Sequence, residues 1–158
     1  MPGLACHATA IALGGEALLI CGPSRAGKSS LAFALIARST RRLRVTLIGD
    51  DRVLLHAGTS GTIVRPHPRI AGFLERRGLG IVAMPWTAQA PVAGLVDVGS
   101  PTSTLPRFDG MPRIEVHSPC NPDATADIVL TWWVAQSAAC ATQSDPKGRA
   151  TVLKCAKD

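Results

Sequence analysis

The apolar and polar positions near the start of the chain predict a strand, a loop and a helix in succession. The runs Thr9–Leu13 and Glu16–Cys21 flank Gly14-Gly15, a pattern that predicts two antiparallel strands joined by a tight turn. Between Lys28 and Arg38 the apolar residues recur at helical spacing, and Ser39-Thr40 ends the run. The second strand therefore leads through a short glycine-rich segment directly into a helix.

The middle of the chain is rich in predicted strands. The apolar run Val45–Ile48 predicts a short buried strand, and Gly49-Asp50-Asp51 follows it, so two carboxylates stand at the carboxyl end of a strand. Proline-rich and glycine-rich turns separate the other candidates. These further predicted strands are 53–56, 62–64, 80–83, 91–98 and 113–117.

The second half of the chain adds a loop and a helix. Residues 100–112 are rich in Pro, Ser, Thr and Gly, which is typical of a long surface loop. Pro122 and Asp123 are typical of a helix start, and apolar positions continue through Trp132 and Trp133. We expect one domain over residues 1–142 and a flexible tail over residues 143–158.

Composition places this pattern in the α/β class. With 158 residues, 46% of them hydrophobic, the chain can bury the core of a single domain. Aromatic residues make up only 4%, so the core depends on Ala, Leu, Ile and Val packed in layers of strands and helices.

Charge and cysteine content exclude several classes of function. The net charge of +6 comes without aromatic residues interleaved for base stacking, so we expect no nucleic-acid partner. We see no membrane-spanning run and no export signal. The five cysteines form no C-x-x-C pair, which argues against disulfides and zinc. We expect reduced thiols in a cytoplasmic protein, with Cys21 in the core.

The strongest chemical signal is "GPSRAGKS", residues 22–29, which matches the phosphate-binding pattern G-x-x-x-x-G-K-[ST] between a strand and a helix. In such a loop backbone N–H groups and the helix dipole converge on phosphate oxygens. Lys28 would neutralise the β- and γ-phosphates of ATP, and the Ser29 hydroxyl would bind Mg²⁺. The predicted nucleotide-binding residues are Gly22, Pro23, Ser24, Arg25, Ala26, Gly27, Lys28, Ser29 and Ser30.

Asp50 and Asp51 form the second candidate group. Phosphoryl transfer needs a carboxylate near the metal and often another that accepts a proton from the acceptor hydroxyl. Taken alone, such a pair is also typical of a turn. His7 and Glu75 carry little weight by themselves, because a lone His or a Glu beside two Arg residues is usually an ordinary surface group.

Together, "CHATAIALGGEALLICGPSRAGKSS", "LIGDDRV" and "FLERRGLGIV" resemble the catalytic domain of HPr kinase/phosphorylase over about residues 5–98. That family transfers phosphate from ATP, or in some members pyrophosphate, to a serine of the phosphocarrier HPr, and can reverse the reaction by phosphorolysis. The resemblance implies a P-loop core similar to that of phosphoenolpyruvate carboxykinase, a role in regulating the phosphotransferase system and carbon metabolism, and a hexameric assembly.

The resemblance also implies residue roles. His7, Lys28 and Asp51 would be catalytic, with Asp51 as the base that takes the serine proton and His7 supporting the acidic group. Ser29, Asp50 and Glu75 would hold Mg²⁺. Because the chain begins six residues before His7, we expect a form without the amino-terminal domain of full-length relatives.

Two departures from the family pattern refine this expectation. Arg25 stands where relatives have glycine, and it must either point away from the phosphates or add positive charge to them. The family's later catalytic Arg and its "P-G-R-N" loop have no clear equivalent, although Arg107 or Arg113 could replace the former. The kinase direction is therefore favoured over phosphorolysis.

Two other functions fit the same residues. One is a P-loop kinase of this fold with a different acceptor, either a small molecule or another protein. The other is a nucleotide-sensing module without catalysis, in which ATP binding orders the loop at 100–112 and so controls a partner.

Overall fold

The computed structural model describes residues 3–99, 108, 110–117 and 121–143. Within them the chain forms ten strands, two α-helices and a 3₁₀ turn at Pro68–Ile70. The strands are β1 Leu4–Cys6, β2 Thr9–Leu13, β3 Glu16–Cys21, β4 Val45–Gly49, β5 Val53–Gly58, β6 Gly61–Pro66, β7 Phe73–Arg76, β8 Gly80–Ala83, β9 Ala90–Val98 and β10 Arg113–Val116. The helices are α1 Lys28–Ala37 and α2 Pro122–Gln143.

Most strands belong to one sheet with the order β1-β5-β6-β9-β3-β2-β4, in which β10 also pairs with β9. The long strand β9 joins two parts of this sheet, since its start pairs with β6 and its remainder runs parallel to β3 and β10. Strands β7 and β8 form a separate two-stranded hairpin. The central strand β3 therefore ends, at Cys21, beside the parallel end of β9.

Side chains alternate across the sheet and fill two buried clusters, one on each face. On one face, Ile11, Leu18 and Ile20 pack with residues of both helices. On the other face, small residues such as Ala10 and Ala12 pack with residues from β5 and β6. The protein thus has three layers: helices, central strands, and the strands that continue from β9.

Arg38 holds the two helices together at one end. Its Nε donates to Asp127 Oδ1 at 2.6 Å, its Nη1 to Asp123 Oδ1 at 2.9 Å, and its Nη2 to the Asp123 carbonyl at 3.0 Å. These hydrogen bonds to Asp127 and Asp123 raise the pKa of Arg38. The α1 helix that follows the glycine loop is therefore fixed at its far end.

The structure confirms the α/β class and each predicted strand and helix, with bounds that differ by a few residues. Strands β1 and β7 are not predicted from the sequence. Strand β1 has three residues, too few for a recognisable period. In β7 an inward position is occupied by Arg76, whose guanidinium lies 4.2 Å from the centre of the Phe33 ring. A charged residue facing inward hides the alternation expected of a strand.

Cys21 is fully buried at the end of β3, as predicted. Neither helix in the described part of the chain is long and apolar enough to span a membrane. The predicted tail lies beyond the described residues, apart from Gln143 at the end of α2, and most of the predicted loop at 100–112 is outside them as well.

Burial gives Cys21 a testable effect on stability. Burial, and then the charge of Asp97, raise its pKa from 9.0 to about 12. Between these values the unfolded chain loses a proton that the native state keeps, so the free energy of unfolding falls as pH rises. From about pH 8 to about pH 10.5, we expect wild type to lose about 1 to 2 kcal/mol more than Cys21→Ala in urea unfolding. Parallel pH profiles for the two proteins would contradict this assignment.

Candidate functional site

The glycine loop, residues 22–29, joins β3 to α1. At Gly22 and Gly27 its backbone has a positive φ, which glycine adopts readily. Gly22 has a φ of 152°, and a Cβ there would collide with the Val98 carbonyl oxygen. Gly27, with a φ of 97°, precedes α1, and no described side chain caps the helix at this point. The first-turn amides of α1 are therefore left to bind an anion, as in other loops of this kind.

Lys28 is a buried cation at the base of this loop, with only 5% of its surface exposed. Its Nζ donates to the carbonyls of Gly22 at 3.1 Å and Pro23 at 2.9 Å, so the lysine also closes the loop on itself. Burial lowers the pKa of Lys28, and the charges of Asp51 and Asp50 act in the opposite direction. An ammonium group with little water around it and one donor to spare is suited to a phosphate oxygen.

Asp50 is a buried carboxylate directly after β4, and three groups donate hydrogen bonds to it. Its Oδ1 accepts from Thr9 Oγ1 at 2.8 Å and from Ser29 Oγ at 2.7 Å. Its Oδ2 accepts from the backbone N–H of Glu75 at 3.1 Å. Asp50 thereby connects β2, the glycine loop and the β7–β8 hairpin at a single point.

Asp51, by contrast, turns into solvent. Its φ of 60° is uncommon for a residue with a side chain, and the Arg52 amide closes a tight turn around it on the Asp50 carbonyl. The Asp51 side chain is 74% exposed, and His7 Nε2 lies 2.7 Å from its Oδ1. The two adjacent carboxylates therefore have different environments: Asp50 is buried and accepts from three donors, and Asp51 is accessible and contacts a histidine.

These groups surround a pocket of about 710 Å³. Its lining comes from the glycine loop, the two aspartates and the β7–β8 hairpin. The contact between Arg76 and Phe33 of α1 holds this hairpin beside the loop. The lining residues are Ser24, Arg25, Gly27, Lys28, Ser29, Ser30, Asp50, Asp51, Glu75 and Arg77.

The structure brings most of the predicted site residues together. Gly22, Pro23 and Ala26 shape the loop without lining the pocket, and His7 reaches the site through Asp51. Thr9, which donates a hydrogen bond to Asp50, was not predicted as a site residue. It lies two positions after His7, in a strand whose sequence is typical of a buried core strand. No sequence signal marks it, because a threonine in a buried strand is ordinary.

Arg113, one candidate for the family's later arginine, does not line the pocket. Its Nε lies 3.1 Å from Oδ2 of the buried Asp97, an ion pair without hydrogen-bond geometry. Burial raises the pKa of Asp97 and Arg113 opposes this shift. Arg113 thus has a partner on the neighbouring strand, and Arg107 lies outside the described residues.

The oxygen ligands at the pocket suit Mg²⁺, which takes only a few ligands from the protein, better than a metal bound by protein side chains alone. Within the described residues, no three His, Cys, Asp or Glu side chains converge on one metal position. A serine hydroxyl lies next to one carboxylate, in a loop with the phosphate-binding sequence pattern. This matches Mg²⁺, which takes one or two carboxylates and completes its shell with phosphate and water oxygens. Ser29 and Asp50 are that pair, and the Glu75 side chain faces the same pocket.

Fold and site together define the class: a strand-rich α/β domain in which a glycine loop of the phosphate-binding type opens onto a pocket lined by carboxylates. The chain belongs to the HPr serine kinase C-terminal domain family, whose model matches residues 2–87. The match contains all of the pocket-lining residues in the described part of the chain.

Individual relatives agree with this assignment. The HPr kinase/phosphorylase of Limosilactobacillus reuteri is 38% identical over 82 residues, which cover 51% of this chain and 24% of that protein. That of Clostridium botulinum strain Eklund 17B is 39% identical over 77 residues, covering 48% of this chain and 23% of that protein. The chain thus matches about a quarter of the length of these relatives.

The fold is similar to that of a solved structure as well. The Hpr(Ser) kinase/phosphatase from Coxiella burnetii matches with a TM-score of 0.64 at 19% identity, over 85% of this chain and 99% of that chain. At this identity the likeness shows the fold. It extends beyond the region matched by the family model, toward the second half of the chain.

Arg25 gives the first test of this pocket. It lines the pocket with a φ of 66°, a conformation that costs about 1 kcal/mol relative to glycine. We expect Arg25→Gly to weaken ATP binding about 3- to 5-fold in calorimetric titration, an effect that high salt removes.

Arg41→Gly is the matched control for this test, because Arg41 is exposed and does not line the pocket. It should leave the affinity for ATP unchanged. If Arg25→Gly also binds ATP as wild type does, the Arg25 guanidinium points away from the phosphates and has no part in binding.

Proposed function

We propose that this domain is the catalytic part of an HPr serine kinase: it binds Mg-ATP and transfers the γ-phosphate to a serine of an HPr-like phosphocarrier. The observation that carries the proposal is the exposed Asp51, which His7 contacts and which lines the same pocket as the glycine loop. A carboxylate open to solvent can be reached by the loop of another protein, whereas a buried one could serve only a small acceptor.

The glycine loop positions the donor. Its backbone amides and the Lys28 ammonium bind the β- and γ-phosphates, and the buried position of Lys28 strengthens this attraction. Ser29 and Asp50 would hold Mg²⁺, which would supply positive charge to offset the charge of the phosphates. Positioning and charge neutralisation together provide most of the rate enhancement that phosphoryl transfer needs.

Asp51 then activates the acceptor. The serine Oγ attacks the γ-phosphorus, its proton passes to the Asp51 carboxylate, and the bond from the γ-phosphorus to the β,γ-bridging oxygen breaks, releasing ADP. His7 holds Oδ1 at 2.7 Å, which leaves Oδ2 to accept the proton. In the reverse direction the same carboxyl would return the proton to serine, although the sequence favours the kinase direction.

The wider role follows from the acceptor. Phosphorylation of HPr on serine by such a kinase would regulate the phosphotransferase system and carbon metabolism in the cytoplasm. We also propose a homo-oligomer, in line with the hexamers of the family. Because some members of the family use pyrophosphate, phosphate transfer should be measured with ATP and with pyrophosphate as donors.

Asp51→Asn tests the central role. Asparagine tolerates a positive φ and keeps the shape of the side chain, so the turn should be preserved while the base is lost. With Mg-ATP and an HPr-like phosphocarrier, intact-mass spectrometry should show one phosphate added to serine by wild type. The rate should fall about 10²- to 10⁴-fold in Asp51→Asn, with ATP affinity unchanged.

One control variant and two alternative outcomes complete this experiment. Glu16→Gln removes an exposed carboxylate that does not line the pocket and should leave the rate unchanged. Tight ATP binding without transfer to any HPr would instead support a nucleotide-sensing module, and transfer to another substrate would support a different acceptor.

A further inference from the structure

Thr9 is a fully buried threonine at the start of β2, and its hydroxyl lies between the two aspartates. The Oγ1 donates to Asp50 Oδ1 at 2.8 Å and accepts a longer bond, 3.5 Å, from the backbone N–H of Asp51. One side chain therefore contacts both the carboxylate that faces the metal position and the backbone of the proposed base.

The core around Thr9 does not itself call for a hydroxyl. Its neighbours Ala8 and Ala10 are fully buried, as is Ile20, which is opposite it in β3. Burying a hydroxyl without a hydrogen-bond partner costs about 1 to 3 kcal/mol. If packing were the sole requirement, an apolar residue would therefore suit this position better than threonine. The oxygen at this position is explained by the carboxylate that it meets.

A β-bulge lies next to this contact. Between β2 and β4, Ala10 pairs with Gly49 but Ile11 pairs with Leu47, so Ile48 is an extra residue in β4. Such a bulge redirects the side chains that follow it and is common beside active sites. Here it precedes Asp50, whose carboxylate points at Thr9 and Ser29.

We propose that Thr9 is a positioning residue of this site: its buried hydroxyl fixes the orientation of the Asp50 carboxylate toward a magnesium ion bound at Ser29, and supports the turn at Asp51. The inference rests on the function proposed above for its link to catalysis. Its effect on magnesium can be measured without phosphate transfer. Ser29 also donates to Asp50 Oδ1, and its oxygen can bind a metal through a lone pair while it keeps this hydrogen bond, so Thr9 and Ser29 both orient the same carboxylate oxygen.

The test is the Mg²⁺ dependence of ATP binding, measured with a fluorescent ATP analogue. In Thr9→Val, which keeps the shape and loses the hydroxyl, half-saturating Mg²⁺ should rise about 5- to 30-fold. Binding of the analogue in EDTA should stay within about 2-fold of wild type, because the glycine loop is intact. Thr9→Ser should restore the Mg²⁺ dependence to within about 3-fold.

Thr46→Val is the matched control. Thr46 is also a buried threonine of the central strands, but its hydroxyl bonds to Thr87 Oγ1 at 2.7 Å and not to the site. It should cost stability as Thr9→Val does and leave the Mg²⁺ dependence unchanged. In phosphate-transfer assays only Thr9→Val should lower kcat, with the KM for HPr unchanged.

Several results overturn the proposal. The first is an unchanged half-saturating Mg²⁺ concentration in Thr9→Val. The second is an equal rise of this concentration in Thr46→Val. The third is a wild-type affinity for the ATP analogue that does not depend on Mg²⁺. If Thr9→Val does not fold, Thr9→Cys replaces it, since cysteine has a similar volume and a weaker hydrogen-bond donor. The half-saturating Mg²⁺ concentration should then rise in Thr9→Cys, and a wild-type value in this variant also overturns the proposal. A wild type that binds Mg-ATP but phosphorylates no HPr defeats the proposed function, and the Mg²⁺ titration still decides the role of Thr9.

Discussion

The site depends on one buried carboxylate. Asp50 accepts hydrogen bonds from Thr9, Ser29 and the backbone of Glu75, which belong to β2, the glycine loop and the β7–β8 hairpin. A buried charge is costly unless such donors satisfy it, so the three segments must meet at this point for the fold to be stable. The requirement that stabilises Asp50 thus also assembles the pocket.

Around this point the two aspartates have separate tasks because the backbone gives them separate environments. Asp50 follows the bulge at the end of β4 and its side chain is buried. Asp51 has a positive φ, and its own side chain points into solvent. One carboxylate can then face a metal while its neighbour remains available for a proton. Local strain of this kind is typical of functional sites, where the surrounding structure enforces it.

Much of this arrangement could be predicted from sequence, because the features that matter have strong local patterns. The glycine loop, the helix after it and the aspartates after β4 all follow from hydrophobic periodicity and a motif with a physical basis. Cys21 in the core follows from its apolar strand.

Other features could not be predicted, since they depend on contacts between distant segments. Strand β7 does not show the alternation of a strand because Arg76 occupies an inward position, where it packs against the Phe33 ring. Thr9 has no motif, and its role depends on a bulge in a strand far along the chain. The ion pair of Arg113 with Asp97 likewise needs the parallel register of β10 and β9.

The most direct measurement is a crystal structure of the protein with Mg²⁺ and a non-hydrolysable ATP analogue. We predict that the γ-phosphate lies in the pocket beside Lys28 and that the metal lies at Ser29 and Asp50. The Asp51 carboxylate should face the γ-phosphate from the open side, with room for a serine between them. A nucleotide bound elsewhere, or an Asp51 turned away from the γ-phosphate while its contact with His7 is kept, would contradict it.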